Sequence, residues 1–158
     1  MNTWENVGHS FTFAGMQKTI IPISFIEIEK DNFHLFISAK IGRKKARLLL
    51  DTGASKTAFD QEQIVRFVDA SKLRKYEINS IGLGSNQVET HLISLPSFKL
   101  GNIKILTYEI AVLDLSHVNQ AYQSLGFPTI DGVLGSDLLY QFKAIINYPK
   151  EKLTMRHE

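Results

Sequence analysis

Leu48-Leu49-Leu50-Asp51-Thr52-Gly53-Ala54-Ser55 brings a hydrophobic run directly into an acidic residue, a hydroxyl and a glycine. Three consecutive leucines predict the end of a buried strand. A carboxylate at such a place is costly to bury unless it is hydrogen-bonded or shares a proton. Gly53 permits close approach of another backbone, and the hydroxyl of Thr52 can tie the loop down. The pattern therefore indicates a rigidly held carboxylate in a half-dry cleft, as acid–base catalysis requires.

A second informative segment lies about eighty residues downstream and reads Ile130-Asp131-Gly132-Val133-Leu134-Gly135-Ser136-Asp137-Leu138-Leu139. Together the two segments resemble the catalytic loop and the supporting segment of retropepsin-like aspartic proteases. Ser55-Lys56 and Ser136-Asp137 depart from the viral members and are closer to the bacterial and cellular branch. The resemblance implies an all-β, closed, barrel-like acid protease fold with a few short helices and one lobe per chain, over residues 20–158.

The resemblance also implies a role for individual residues. Asp51 becomes the catalytic carboxylate, and Thr52 and Gly53 become its active-site support. The residues implied to bind substrate are Ala54, Ser55, Ile81, Gly82, Leu83, Gly84, Gly132, Val133, Leu134 and Gly135. The four at 81–84 match a flap that closes over a peptide, because glycines allow a mobile hairpin. A plain glycine-rich turn is the alternative for that tip.

Aspartic protease chemistry needs two carboxylates that share one proton across a bound water. The chain supplies one Asp-Thr-Gly and is too short for two homologous lobes. Asp131 is a poor second carboxylate, since the Val-Leu-Gly that follows Gly132 matches the supporting segment. A C2 homodimer, which brings two copies of Asp51 together, is the consistent expectation.

Two other functions stay open at this level. The chain could be a catalytically weak or inactive dimeric peptide-binding module that keeps the fold, or a protease autoinhibited by its N-terminal arm, residues 1–19. The intact Asp51, Thr52 and Gly53 favour an active aspartic endopeptidase over the first alternative. A serine hydrolase is disfavoured, because neither Ser55 nor Ser136 has a base placed beside it.

Composition excludes several classes. The 158 residues are 44% hydrophobic and 22% charged, typical of one soluble globular domain. A net charge of +2 does not favour nucleic acid or an anionic membrane as partner. There is no cysteine, and the five histidines lack metal-ligand spacing, so no metal or cofactor is expected. No signal-peptide pattern is seen, and the apolar run Ile20–Ile28 is broken by Pro22 and Glu27, which predicts a cytoplasmic protein without a membrane span.

Along the chain, most segments predict short strands. They cover Ile21–Ile28, Phe33–Ile41, a strand ending at Asp51, Val88–Leu95, Phe98–Leu100, Ile103–Leu106, Tyr108–Leu113, Ala144–Tyr148 and Lys152–Met155. Gly101-Asn102 predicts a hairpin turn. Helices are expected from Asp60, from Ser116 until Gly126, and after a cap at Ser136 or Asp137.

Overall fold

The structure is a computed structural model that describes residues 17–69, 71, 74–76, 90–95, 97–106 and 108–157. Its strands, in chain order, are β1 (Gln17–Pro22), β2 (Ser24–Glu29), β3 (Asn32–Ile41), β4 (Lys44–Leu50), β5 (Ala58–Asp60), β6 (Arg74–Tyr76), β7 (Thr90–Leu95), β8 (Phe98–Leu100), β9 (Ile103–Ile105), β10 (Tyr108–Leu113), β11 (Gly132–Leu134), β12 (Ile145–Asn147) and β13 (Lys152–His157). The helices are α1 (Ser116–Ser124) and α2 (Ser136–Gln141), with a 3₁₀ turn at Ile64–Arg66. The predicted β fold with a few short helices is confirmed.

The large sheet has the order β6-β7-β10-β5-β11-β4-β3-β8-β9, and β2 also pairs with β3. At its centre β4 lies parallel to β11, while β11 lies antiparallel to β5. Because the carboxyl ends of parallel neighbours meet at one edge of a sheet, the loop after Leu50 lies beside the segment after Leu134. The two segments that the sequence analysis singled out are therefore adjacent in space.

Strand β4 explains the run of three leucines. Leu48 and Leu50 are buried on one face, in the main hydrophobic core. Leu49 packs on the other face, against a second cluster that includes Phe36 and Tyr122. Since both faces of the strand are covered, its carboxyl end needs no alternation of polar and apolar residues.

A second sheet with the order β1-β13-β12 joins the two ends of the described chain. Residues Gln17–Pro22 pair with Lys152–His157 along their whole length. Thr19 is buried, and its Oγ1 accepts a hydrogen bond from the backbone N–H of Asn102 at 3.0 Å. Residues 17–19, placed in the arm by the sequence analysis, thus belong to this sheet, and residues 1–16 lie outside the described part.

The helix predicted from Asp60 is wrong. Residues Ala58–Asp60 form a strand between β10 and β11, and only the 3₁₀ turn Ile64–Arg66 follows. The Asp60 carboxylate does accept the N–H of Gln63 at 3.2 Å, as a helix cap would, but it also accepts the N–H of Leu115 at 2.9 Å. Only Ala58–Asp60 pairs with these strands, and the residues that follow make a single 3₁₀ turn in place of the expected helix.

The other local predictions agree better with the structure. Gly101 and Asn102 join β8 to β9, and α1 ends before Gly126, whose φ of +78° is open to glycine. Helix α2 follows Gly135, but no side chain caps it, so the expected cap at Ser136 or Asp137 is wrong. No helix in the described ranges is long and apolar enough to cross a membrane.

Candidate active site

Asp51 occupies the first position after β4 and is half-buried. Its backbone N–H donates to the carbonyl oxygen of Leu134 at 3.1 Å, which extends the parallel pairing by one step. Its side-chain Oδ1 accepts the N–H of Gly53 at 2.9 Å. A Cβ at Gly53 would lie 3.2 Å from that oxygen, so glycine keeps this approach unstrained. The sequence Asp-Thr-Gly thus folds into a turn that holds the carboxylate by a backbone donor.

The second segment fastens this loop from behind. The backbone N–H and the hydroxyl of Ser136 both donate to the carbonyl oxygen of Ala54, at 2.8 and 2.6 Å. The N–H of Gly135 donates to Oγ1 of Thr57 at 3.0 Å. Gly135 lies so close to the loop that a Cβ there would be 2.5 Å from the carbonyl carbon of Lys56. The loop is therefore held by hydrogen bonds and by direct backbone packing.

Asp137 anchors the far end of the loop. Its Oδ1 accepts the hydroxyl of Thr57 at 2.7 Å and the N–H of Thr57 at 2.9 Å, and its Oδ2 accepts the hydroxyl of Tyr108 at 2.7 Å. Burial alone would raise the pKa of Asp137, but the hydrogen bonds from Thr57, Tyr108 and the N–H of Leu138 together place it below its ordinary value. Burial and the neighbouring carboxylate raise the pKa of Tyr108 far above its ordinary value. Sequence reasoning missed Thr57 and Tyr108, since neither is near Asp137 in the chain.

Tyr108→Phe should reduce the free energy of unfolding by about 1–2 kcal/mol at neutral pH, since it removes a hydrogen bond to a charged group. Asp137 has a lowered pKa in the folded state, so its charge stabilises the fold above the ordinary pKa and ceases to do so as the pH falls through the folded value. The loss should therefore shrink toward about pH 2. Urea unfolding at both pH values measures it.

Tyr140→Phe is the matched control for this variant, because Tyr140 is 88% exposed and its hydroxyl can bond to water instead. An equal loss for Tyr108→Phe and Tyr140→Phe would contradict the anchoring role. A Tyr108→Phe loss that is the same at both pH values would contradict the electrostatic part of it.

An open depression of about 340 Å³ lies beside the carboxylate. Its lining comes from the carboxyl end of β4, the amino end of β3 and the region of β12, and consists of Phe33, His34, Leu35, Leu49, Leu50, Asp51, Thr52, Ile146 and Tyr148. The register of β3 and β4 pairs Phe36 with Leu49; His34 lies two residues before Phe36 and Asp51 two residues after Leu49, and both line the depression. Of this lining, the sequence analysis assigned only Asp51 and Thr52 to the site.

The other predicted site residues fall into two groups, those of the loop after β4 and those of the mostly buried segment at 132–135. Thr52, Gly53 and Ser55 are exposed, and Ala54 is half-buried. Of the Gly132–Gly135 segment, only Val133 keeps partial exposure.

Leu134 is 0% exposed in the main core, so in a single chain it supports the loop from behind and has no surface for the predicted substrate contact. The predicted flap residues Ile81, Gly82, Leu83 and Gly84 lie outside the described residues.

Asp131 is buried, and its carboxylate is bound by two arginine residues. It is 3% exposed, and its carboxylate accepts the N–H of Arg47 at 2.7 Å and pairs with Nη1 of Arg66 at 2.6 Å. Burial raises its pKa above the ordinary value, although Arg47 and Arg66 oppose the rise. Both oxygens are thus engaged by arginine residues. In the described ranges no group of three or more histidine, cysteine or acidic side chains is placed to hold a metal ion.

Comparison with known proteins places this geometry in a family. The model of a family described as aspartyl protease matches residues 37–138, which include the first motif and all of the second except Leu139. Among curated proteins, none matches this chain significantly.

Two solved structures share the fold. A retropepsin-like aspartic protease from Rickettsia conorii has a TM-score of 0.54 and 23% identity, with 90% of this chain and 92% of that chain covered. The retroviral protease-like domain of Ddi1 from Leishmania major has a TM-score of 0.53 and 14% identity, with 77% and 87% covered. With the family match, the paired motifs and this architecture, the chain belongs to the aspartyl protease family and has the retropepsin-like fold.

Proposed function

We propose that the protein is an aspartic endopeptidase that hydrolyses peptide bonds with the Asp51 carboxylates of two identical chains. The observation that carries the proposal is the position of Asp51. It is half-buried at a strand end, and its Oδ1 accepts the N–H of Gly53 at 2.9 Å. A backbone donor fixes the carboxylate in one orientation, and the open depression beside it leaves room for a substrate.

We assign the second carboxylate to a second copy of the chain. In the described ranges Asp131 is engaged with Arg47 and Arg66, and Asp137 with Thr57 and Tyr108. A two-fold axis beside the loop would instead place two Asp51 side chains about 3 Å apart, where like charges force them to share one proton.

The exposed surface around the loop suits this pairing. Thr52 and Gly53 are exposed and free to meet the same loop of a second copy. We assign Thr52 to a hydrogen bond across the axis, which would brace the two loops.

In the proposed reaction, one Asp51 accepts a proton from the bound water as the water attacks the scissile carbonyl. The other Asp51, protonated, donates a hydrogen bond to the carbonyl oxygen. The tetrahedral adduct then collapses: the C–N bond breaks, and the proton taken from the water passes to the leaving amine nitrogen. The peptide would bind extended, across Ala54, Ser55 and Val133, and the glycine-rich tip at 81–84 would close over it. Both aspartates can stabilise the transition state only when the two chains are associated.

The test is cleavage of a diverse peptide library from about pH 3.5 to 7, the range in which a shared-proton pair should operate. The library is incubated with several concentrations of the chain. Cleavage whose rate per chain rises with concentration would support a dimeric endopeptidase. Absence of cleavage at concentrations where sedimentation shows a dimer would favour a peptide-binding module. Cleavage that appears only after residues 1–16 are removed would favour autoinhibition by the arm.

A further inference from the structure

Helix α1 forms a fixed wall beside β3 and β4. It packs on the face of the sheet that carries Phe36 and Leu49, and its Tyr122 is 4% exposed there. The side chain of Asn119 clamps the helix, since its Oδ1 accepts the N–H of Ile130 at 2.8 Å and its Nδ2 donates to the carbonyl oxygen of Ile130 at 3.2 Å. Tyr122 is therefore held in one place with respect to the sheet.

The hydroxyl of Tyr122 reaches His34 at the edge of the depression. Its oxygen lies 2.6 Å from Nδ1 of His34, and the two rings meet edge to face with centroids 5.7 Å apart. His34 lines the same depression as Asp51. The phenol thus joins the helical wall to a side chain that faces the proposed substrate cleft.

The surroundings set the direction of this hydrogen bond. Burial raises the pKa of Tyr122, Arg47 opposes the rise and the charge of Asp51 adds to it, so the phenol keeps its proton. In the described part of the chain His34 is its one hydrogen-bond partner, and a buried hydroxyl that does not donate is costly. Tyr122 therefore donates to Nδ1, which leaves Nε2 as the nitrogen of His34 that carries a proton.

We propose that His34, oriented by Tyr122, is a specificity-determining residue whose Nε2–H donates to the side-chain oxygen of a substrate asparagine or glutamine. The inference rests on the proposed function. A neutral amide fits better than a carboxylate for two reasons. The depression already holds the negative charge of Asp51, and the apolar side chains of Leu49, Leu50 and Ile146 would strip water from a charged group.

The test uses the best-cleaved library peptide, remade with glutamine, methionine or glutamate at each position flanking the cut. At one of these positions, kcat/KM of wild type should be about fivefold to tenfold higher for the glutamine peptide than for the methionine peptide, which is the value of one hydrogen bond. The difference should lie in KM. The glutamate peptide should also be cleaved worse than the glutamine peptide. His34→Leu should reduce the glutamine-to-methionine ratio to within about twofold.

Tyr122→Phe keeps the ring packing and removes only the hydroxyl, so it tests the positioning role. It should raise KM for the glutamine peptide and leave kcat and the methionine peptide unchanged. Tyr140→Phe, at an 88% exposed position, is the matched control and should behave as wild type. Absence of an amide preference in wild type, or its survival in His34→Leu, would overturn the proposal.

A second readout does not depend on turnover. Histidine-labelled protein reports by NMR which imidazole nitrogen of His34 carries the proton, and we expect Nε2 in wild type and a mixture in Tyr122→Phe. The Asp51→Asn chain is then titrated with a glutamine-containing hexapeptide and its methionine counterpart. A shift of the His34 signals with the first peptide only would support the proposal, even if no library peptide is cleaved. A proton on Nδ1 in wild type, or equal responses to the two peptides, would overturn it.

Discussion

Asp51→Asn is expected to abolish peptide cleavage, with kcat/KM falling by about a thousandfold or more. Asparagine has nearly the same shape and can still accept the N–H of Gly53, which bonds Oδ1 of Asp51 at 2.9 Å. It cannot take up a proton from the attacking water. The variant should therefore fold and bind peptide while the chemical step fails, and kcat/KM on a peptide from the library measures this directly.

Asp31→Asn is the matched control for this loss. Asp31 lies in the exposed turn between β2 and β3 with φ of +65°, a conformation that asparagine tolerates. The control should retain wild-type activity. Residual activity of Asp51→Asn within about tenfold of wild type would show that the carboxylate is not the catalytic base.

The same variant distinguishes one shared site from two separate ones. Mixed in fourfold excess with wild type and allowed to exchange, Asp51→Asn should reduce wild-type activity to about one fifth, the share of wild-type chains that still pair with each other. An equal mass of unrelated protein should have no effect. If the activity of the wild-type chains is unchanged in the mixture, each chain holds a complete site and the shared carboxylate pair is excluded.

Gly135→Ala is expected to reduce the free energy of unfolding by at least about 3 kcal/mol. The φ of Gly135 is −95°, which any residue adopts, so the backbone conformation is no obstacle. The new Cβ would, however, lie 2.5 Å from the carbonyl carbon and 2.6 Å from the carbonyl oxygen of Lys56, and 2.8 Å from the nitrogen of Thr57. These are backbone atoms of the catalytic loop, and they cannot move aside as a flexible side chain would.

Gly42→Ala supplies the comparison that isolates packing. Gly42 has φ of +58°, and no atom lies within 4 Å of the place that a Cβ would take, so alanine there costs only the left-handed backbone, about 1–2 kcal/mol. Urea unfolding of both variants gives the two free energies. A loss at Gly135 no larger than at Gly42 would mean that the loop yields to the extra methyl group and is not rigidly packed.

The features that sequence could predict are those determined by neighbours in the chain. The Leu48–Leu50 run before Asp51, the hairpin at Gly101 and the end of α1 at Gly126 each follow from a few adjacent residues. Asp60 shows the limit, because the residue expected to cap a helix instead ends a strand that pairs with two distant strands.

The side-chain contacts around the site could not be predicted from the sequence, because they join residues that are far apart in the chain. His34 and Tyr122 are 88 residues apart, and Thr57 and Asp137 are 80 apart. Nothing local in the chain records such contacts. The predicted role of Leu134 came from the resemblance, and its burial in the core depends on pairing between strands that are distant in sequence.

The fastening of the loop by the segment after β11 has a consequence for protein synthesis. The catalytic loop ends near Thr57, but the carbonyl oxygen of Ala54 and the side chain of Thr57 find their partners only at Ser136 and Asp137. A growing chain that has not yet released those residues from the ribosome cannot complete the loop. Contacts of such long sequence separation also form slowly. A fully held loop should therefore arise only once the domain is essentially finished.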